Sequence, residues 1–356
     1  MARKAGVSKG AVSFALNGRP GLAEGTRARI LAAAEELGWA PNQRARALSV
    51  SRAFSLGLVL ARDASLLASD PFYPAFIAGV ESVLAQQGQV LVLQVVGSAA
   101  AEIEGYRRLV RDARVDGFLL SDLRHDDPRI PLLRELGQPA VTLNRPDVDS
   151  PFPAVCVDDS QGVASAVRHL ADLGHERIGH VAGPERFLHA RGRHRAFLDA
   201  LVDSGLPVGP VERADFTAAG GAEATNRLLR APDRPTAIVY ANDLMAIAGI
   251  SAAAGAGLSV PADLSVTGYD DTELAAFVHP ALTTVRTDPF TWGQDAARVL
   301  LETVDGGTPA DVSLAPARLV VRHSTTAPRP VPATGSAPPP SPRRGTRSAP
   351  NSPEKS

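Results

Sequence analysis

The stretch at residues 2–17, ARKAGVSKGAVSFALN, holds a turn between two helical patterns. Gly6 ends the first pattern, and Ser8 offers its hydroxyl as N-cap of the second, whose apolar residues Ala11, Val12, Ala15 and Leu16 recur at helical spacing. This is a helix-turn-helix. NGRPG at residues 17–21 breaks the second helix. A third is expected from about residue 24 to 37, with Ile30, Ala33, Ala34 and Leu37 on one face and Gly38 as its stop. Three short helices of this kind can share one small core. Residues 1–52 hold nine Lys and Arg against three acids, although the 356-residue chain carries a formal net charge of only −1. A basic head on a near-neutral body points to a polyanionic partner for the head, the alternative being a solvated surface.

The length favours two or three domains, and a 44% hydrophobic composition is that of a soluble globular chain with no apolar run long enough to span a bilayer. No signal peptide is evident at the N-terminus, so a cytoplasmic location is expected. The single cysteine, Cys156, sits in the apolar run AVCVDD and reads as a small buried hydrophobe without a redox role.

The run ARKAGVSKGAVSFALNGRPGLAEGTRARILAAAEELGWAPNQRARAL resembles the N-terminal region of the LacI/GalR family of bacterial transcription regulators, and the resemblance extends to about residue 326. It implies that the second helix enters the major groove. Lys9, Gly10 and Phe14 stand where that family's base-reading side chains lie, Ser8 and Ser13 where phosphate contacts are made, and Asn17 joins the same DNA-facing set. Phe14 departs from the arginine of many members. It offers apolar contact, as with a thymine methyl, in place of two hydrogen bonds to guanine, the other reading being a packing residue. Pro41 and Asn42 can open a short helix, too short to be stable alone. The resemblance makes it a hinge helix that orders when two chains pair on DNA, with Leu48 as a minor-groove wedge beside Ala45. It also puts Met1 where relatives carry a valine, which leads to the expectation of a true start upstream, with a GUG valine codon read here as the start.

From Leu56 onward strands and helices alternate, as in a parallel sheet flanked by helices. SLGLVLA, QVLVLQVV, GFLLS and PAVTLN read as strands of a first lobe, and AVCVDD, RIGHVAG, TAIVYAN and LSVTGYDD as strands of a second. LTTVRTDP and ARLVVRHS are expected to cross back between lobes. The expected domains are a helix-turn-helix head at residues 1–40, a hinge at 41–52 and a two-lobed α/β core at 53–326. Lobe 1 is placed at about 53–152 and 286–315, lobe 2 at about 153–285 and 316–326, and a disordered Pro/Arg/Ser-rich tail at 327–356. The two Rossmann-like lobes resemble periplasmic sugar-binding proteins, as the family's core does.

Open parallel sheets bind ligands at the carboxyl ends of their strands. Asn144 follows AVTL, Asn242 follows TAIVYA and Asp270 follows SVTGY, and amides and carboxylates suit sugar hydroxyls. By the resemblance Arg193 is the cleft arginine. Phe72 and Phe216 can stack on the apolar face of a sugar ring, Phe72 equally being core. Asp243 and Asp271 either bind ligand or cap the helices that follow. His175 and His180 lack zinc spacing and read as structural, and neither a phosphate loop nor a nucleophile elbow is present. No cofactor, metal or catalytic residue is expected. The whole reads as a homodimeric repressor of carbohydrate-use genes on palindromic operator DNA, controlled by a small ligand, a sugar, in the interlobe cleft. The alternatives are a ligand-binding core without effective DNA binding and an enzyme working in the cleft.

Overall fold

The computed structural model describes residues 1–16, 20–38, 52–62 and 70–329. Three helices form the head: α1 Ala2–Ala5, α2 Lys9–Leu16 and α3 Glu24–Glu36. Gly6 adopts φ 64°, the left-handed turn that separates α1 from α2, and the Ser8 hydroxyl accepts the Ala11 N–H at 3.1 Å. Ala5, Ala15, Ile30 and Ala33 make the core of this bundle, with Val7, Val12 and Leu16 packed against it.

The rest of the described chain builds two six-stranded sheets with helices on both faces. In chain order the elements are β1 Ser55–Ala61, α4 Phe72–Leu84, β2 Val90–Val96, α5 Ala99–Arg111, β3 Gly117–Leu120, α6 Arg129–Glu135, β4 Ala140–Leu143 and β5 Ala154–Cys156. Then come α7 Ser160–Asp172, β6 Ile178–Ala182, α8 Leu188–Asp203, β7 Val211–Arg213, α9 Ala218–Arg230, β8 Ala237–Tyr240, α10 Asp243–Gly255 and β9 Ser265–Asp270. The series closes with β10 Thr283–Arg286, α11 Pro289–Val304, β11 Val312–Ser313 and β12 Arg318–Val320. The first sheet runs β11-β5-β4-β3-β1-β2 and is wholly parallel. The second runs β12-β10-β9-β8-β6-β7, with β12 alone antiparallel. The central strands read as apolar runs because helices cover both faces; all four residues of β3, β4 and β8 are buried.

One expectation is corrected. A boundary after residue 152 puts AVC in lobe 2, but β5 pairs with β4 in the first sheet, Thr142 facing Ala154 and Leu143 facing Val155. The ten residues between β4 and β5 contain no helix, which made them read as a link between lobes, whereas buried Ala154 and Val155 complete the first core. The chain leaves lobe 1 after Cys156, returns after Arg286 through α11 and β11, and crosses again to β12. Strands β7 and β11, three and two residues long, were too short to register as patterns.

Helices α4 and α11 meet backbone to backbone. A Cβ at Gly79 would fall 2.0 Å from the Phe290 carbonyl oxygen, and one at Gly293 would fall 2.2 Å from that of Phe76. This approach sets Phe72, at the start of α4, edge-on to Trp292 of α11 with ring centroids 5.8 Å apart.

His180, at 1% exposure on β6, lies flat against Phe197 with centroids 4.6 Å apart. Its Nδ1–H donates to the Val239 carbonyl at 2.7 Å, and Nε2 has no partner. Burial pushes its pKa down to about 3. The unfolded chain takes up this proton near pH 6.5, so His180 leaves stability intact above that value. Below it, down to about pH 3, stability falls by up to ~1.4 kcal/mol per pH unit. His180→Phe is expected to flatten this acid limb, measured as urea unfolding between pH 7 and 4; an unchanged slope would show that His180 is not the group responsible.

Candidate functional site

On α2 the residues opposite the head core form one exposed face: Lys9, Gly10, Ser13 and Phe14 are exposed, and Phe14 is 41% accessible. Positions i, i+1, i+4 and i+5 of a helix share a side, so the packing of Ala11, Val12, Ala15 and Leu16 turns these four outward. Ser8 precedes them, also exposed. Phe14 is thus not a core residue. Asn17, Ala45 and Leu48 lie outside the described residues.

The cleft lies at the carboxyl ends of the strands of both sheets, and Phe72, Asn144, Arg193, Phe216, Asn242 and Asp270 all line it. Counted with its opening to solvent, it measures about 700 Å³. Two guanidinium groups organise it. Arg62, the residue after β1, donates Nε and NH2 to Asp122 at 2.5 and 2.8 Å and NH1 to Asp70 at 2.9 Å. Its guanidinium lies 5.2 Å from the ring centre of Tyr73, 5.4 Å from that of Phe187 and 5.9 Å from that of Phe216, the last two in the second lobe. Burial disfavours the charge on Asp122, but Arg62 outweighs it and holds the carboxyl well below its usual range. Across the cleft Arg193 donates Nε to Asp159 at 3.1 Å and NH1 to the Ala241 carbonyl at 3.0 Å, with its guanidinium 3.6 Å from the centre of the Tyr269 ring. Tyr269 donates its hydroxyl to Asp159 at 2.6 Å.

The polar residues at the strand ends divide their groups between scaffold and cavity. Asn242 caps α10, its Oδ1 accepting the Met245 N–H at 2.9 Å while Nδ2 donates to the Phe216 carbonyl at 3.1 Å. Asn144 accepts the Val157 N–H on Oδ1 at 2.8 Å, leaving Nδ2 for the cavity. Burial raises the Asp270 carboxyl well above its ordinary range; Arg193 opposes the shift, and Asp243, Asp70 and Asp159 add to it. Asp243 is fully buried, accepting from the Thr284 hydroxyl and the Thr272 N–H, so its place is structural. Asp271 likewise pairs with Arg286 and Arg322 outside the cavity lining. Asp122, Asn144, Phe216 and Asp270 have φ of 51°, 68°, 69° and 117°, so four residues of the lining hold left-handed backbone that non-glycine residues adopt at a cost. His175 bonds Thr236, Ser265 and Thr326 and lies within the second lobe. Among the described residues one trio offers metal-ligating atoms within 4.8 Å of one another, His125, Asp126 and Asp147, all exposed.

Two family models match: "Bacterial regulatory proteins, lacI family" over residues 1–42 and "Periplasmic binding protein-like domain" over residues 167–325. The HTH-type transcriptional regulator CelR of Thermobifida fusca is 34% identical over 330 residues, 91% of this chain and 96% of the relative. The chain belongs to the lacI family of bacterial regulatory proteins. MalR of Streptomyces coelicolor, an HTH-type transcriptional regulator of the same family, is 36% identical over 91% of this chain and 95% of its own. Among solved structures, a CelR–cellobiose complex superposes with TM-score 0.72 at 32% identity, covering 91% of this chain and 98% of that one. A lac repressor dimer bound to operator and the anti-inducer ONPF superposes with TM-score 0.79 at 29% identity, over 92% and 98%. This lacI-family chain is a transcriptional regulator and not an enzyme.

Sequence reasoning missed Arg62, Asp70, Ser121, Asp122, Asp159, His189 and Trp292, which also line the cleft. The rule that selected Asn144 and Asn242, a polar residue just past a buried strand, applies equally to Arg62 after SLGLVLA and Asp122 after GFLLS. Trp292 carried no such signal, because a helix packed across from α4 brings it in.

Proposed function

We propose that this regulator is a homodimeric, cytoplasmic repressor of carbohydrate-use genes whose operator binding is set by a sugar in the interlobe cleft. The observation that carries this reading is the lining of the cleft: Asp122 and Asp270, Asn144 and Asn242 and the guanidinium of Arg193 surround a space walled by Phe72, Phe216 and Trp292. Carboxylates and amides engage vicinal hydroxyls, and aromatic faces cover the C–H face of a pyranose. The cellobiose in the CelR complex supports the same class of ligand. In this reading the head of residues 1–40 contacts DNA through Ser8, Lys9, Gly10, Ser13, Phe14 and Asn17. The segment at 41–52 acts as the hinge, Leu48 entering the minor groove beside Ala45, and the core of 53–326 binds sugar and partner. A ligand shifts DNA affinity only by its differential affinity for the two arrangements of the lobes.

Fluorescence anisotropy with the promoter DNA beside the gene tests this directly. Saturable binding to an inverted repeat, altered by a sugar, is expected; absence of any site with or without sugars would sink the reading. Within the same assay Lys9→Ala, which removes a base-reading side chain, should weaken binding chiefly at one base position; uniform weakening with the slope of log K against log salt lowered by about 1 would make Lys9 a phosphate contact.

A further inference from the structure

We propose that a second chamber, beside the cleft, binds a small tetrahedral oxyanion: inorganic phosphate or the phosphoryl group of a metabolite. The site is independent of the sugar reading. The chamber measures about 670 Å³ counted with its opening. Ser121 and Asp122 belong to the walls of both spaces, but the rest of its lining is its own. That lining includes the end of β1, the first turn of α5 at Ala99 and Glu102, and the three arginines Arg124, Arg129 and Arg186.

Both carboxylates of the lining already have each oxygen engaged. Glu102 accepts from Arg124 on Oε2 and from Arg129 on Oε1, the latter at 3.2 Å, and Asp122 accepts from Arg62 on both oxygens. Arg129 in turn gives Nε and NH2 to Asp127 at 2.9 and 2.7 Å. Arg62 thus neutralises Asp122, and Asp127 neutralises Arg129, which leaves Arg124 and Arg186 facing Glu102 alone. Arg124 keeps a buried Nε with no partner. Arg186 is exposed, its guanidinium 4.5 Å from the ring centre of Phe187, and has no ion pair or hydrogen bond among the described residues. Cationic donors without acceptors call for an occupant that carries negative charge and several acceptor oxygens.

The start of α5 adds to this set. Ser98 caps the 13-residue helix by accepting the Ala101 N–H at 3.2 Å, while the N–H groups of exposed Ala99 and Ala100 meet no acceptor among the described residues. Their methyl side chains leave those N–H groups uncovered, and the positive end of the helix dipole lies with them. Donors from three separate elements suit a tetrahedral oxyanion better than a planar carboxylate. They also come from both lobes, Arg124 from the first and Arg186 from the second. The lobes touch at this point, where the Leu188 N–H donates to the Leu123 carbonyl at 2.8 Å and Arg124 and Phe187 pair as an antiparallel bridge. An anion held here favours the arrangement in which the lobes are joined.

Isothermal titration of the full chain with sodium phosphate, glycerol 3-phosphate and sodium acetate, at constant ionic strength in a buffer free of other oxyanions, tests this. Phosphate or its monoester should bind about tenfold more tightly than acetate. Arg124→Gln should weaken that binding about tenfold and Arg186→Gln about fivefold, whereas Arg168→Gln, an exposed arginine of α7 outside the chamber, should leave it unchanged. Arg186 pairs with nothing, so its variant should keep the parent melting temperature and separates loss of the anion from loss of the fold. Tighter binding of the monoester assigns the chamber to a phosphorylated metabolite, and tighter binding of phosphate assigns it to the free ion. Acetate binding as well as phosphate, or no binding of any of the three at millimolar concentration, overturns the proposal. Phosphate binding that survives both Arg124→Gln and Arg186→Gln places the ion elsewhere, as on the basic head, and overturns it as well.

Discussion

Arg193→Ala is expected to abolish the response to effector while operator binding without effector stays within about threefold of the parent. Arg193 is held by Asp159, the Ala241 carbonyl and the face of Tyr269, so its guanidinium is fixed before any ligand arrives. Removing it takes away the donor facing the cavity and also leaves Asp159 and Asp270 without their cation. Truncating one member of a buried, hydrogen-bonded charge set costs ~2–5 kcal/mol, which corresponds to a loss of effector affinity of ~30-fold or more. Arg193→Lys keeps the charge but not the planar fork and should fall between the two. Calorimetry of effector binding, paired with anisotropy on operator DNA, separates the outcomes. Effector affinity that survives Arg193→Ala would remove this residue from the site, and loss of DNA binding together with a lowered melting temperature would assign it to stability.

The second large effect belongs to Arg129. This side chain, 1% exposed, donates to Asp127 through Nε and NH2, to Glu102 through NH1, and to the carbonyls of Ser121 and Asp122 through NH2. Arg129→Met fills much of the same space but strands the buried Asp127 carboxylate and two carbonyls and leaves Glu102 to Arg124 alone, an imbalance worth ~3–5 kcal/mol. Urea unfolding should show it as an early transition. Adding Glu102→Gln and Asp127→Asn to the same chain should restore part of the loss, because the stranded charge, rather than the missing contact, is the main cost. A single variant as stable as the parent would show that the set is solvated in the folded chain. Because Arg129 holds the carbonyls of Ser121 and Asp122, its loss should also reach the ligand.

The head and most of the strands were legible because they rest on local periodicity: Ala11, Val12, Ala15 and Leu16 fix which side of α2 is inward, and SLGLVLA and TAIVYA can only be buried strands. The cleft was legible in part. Asn144, Asn242 and Asp270 follow strands and reach the cavity, as that position dictates. The rest depends on pairings remote in sequence. Arg62 and Asp122, sixty positions apart, each follow a buried strand as that rule requires, but their pairing, like that of Asp159 with Tyr269, 110 positions on, shows only in the fold. Neither pairing has a local signature. The misplacement of β5 has the same origin, since only its register with β4 shows which sheet it joins.

The connectivity of the chain bears on how such a regulator can change over generations. The head is a single uninterrupted segment with its own core, so one recombination event upstream of Ser55 can give this chain a new set of DNA sites. The lobes are threaded through one another, the chain passing between the two sheets three times. Exchanging one of them intact demands several simultaneous joins. Operator choice is therefore open to transplantation, whereas ligand choice must be rewritten one side chain at a time within the cleft.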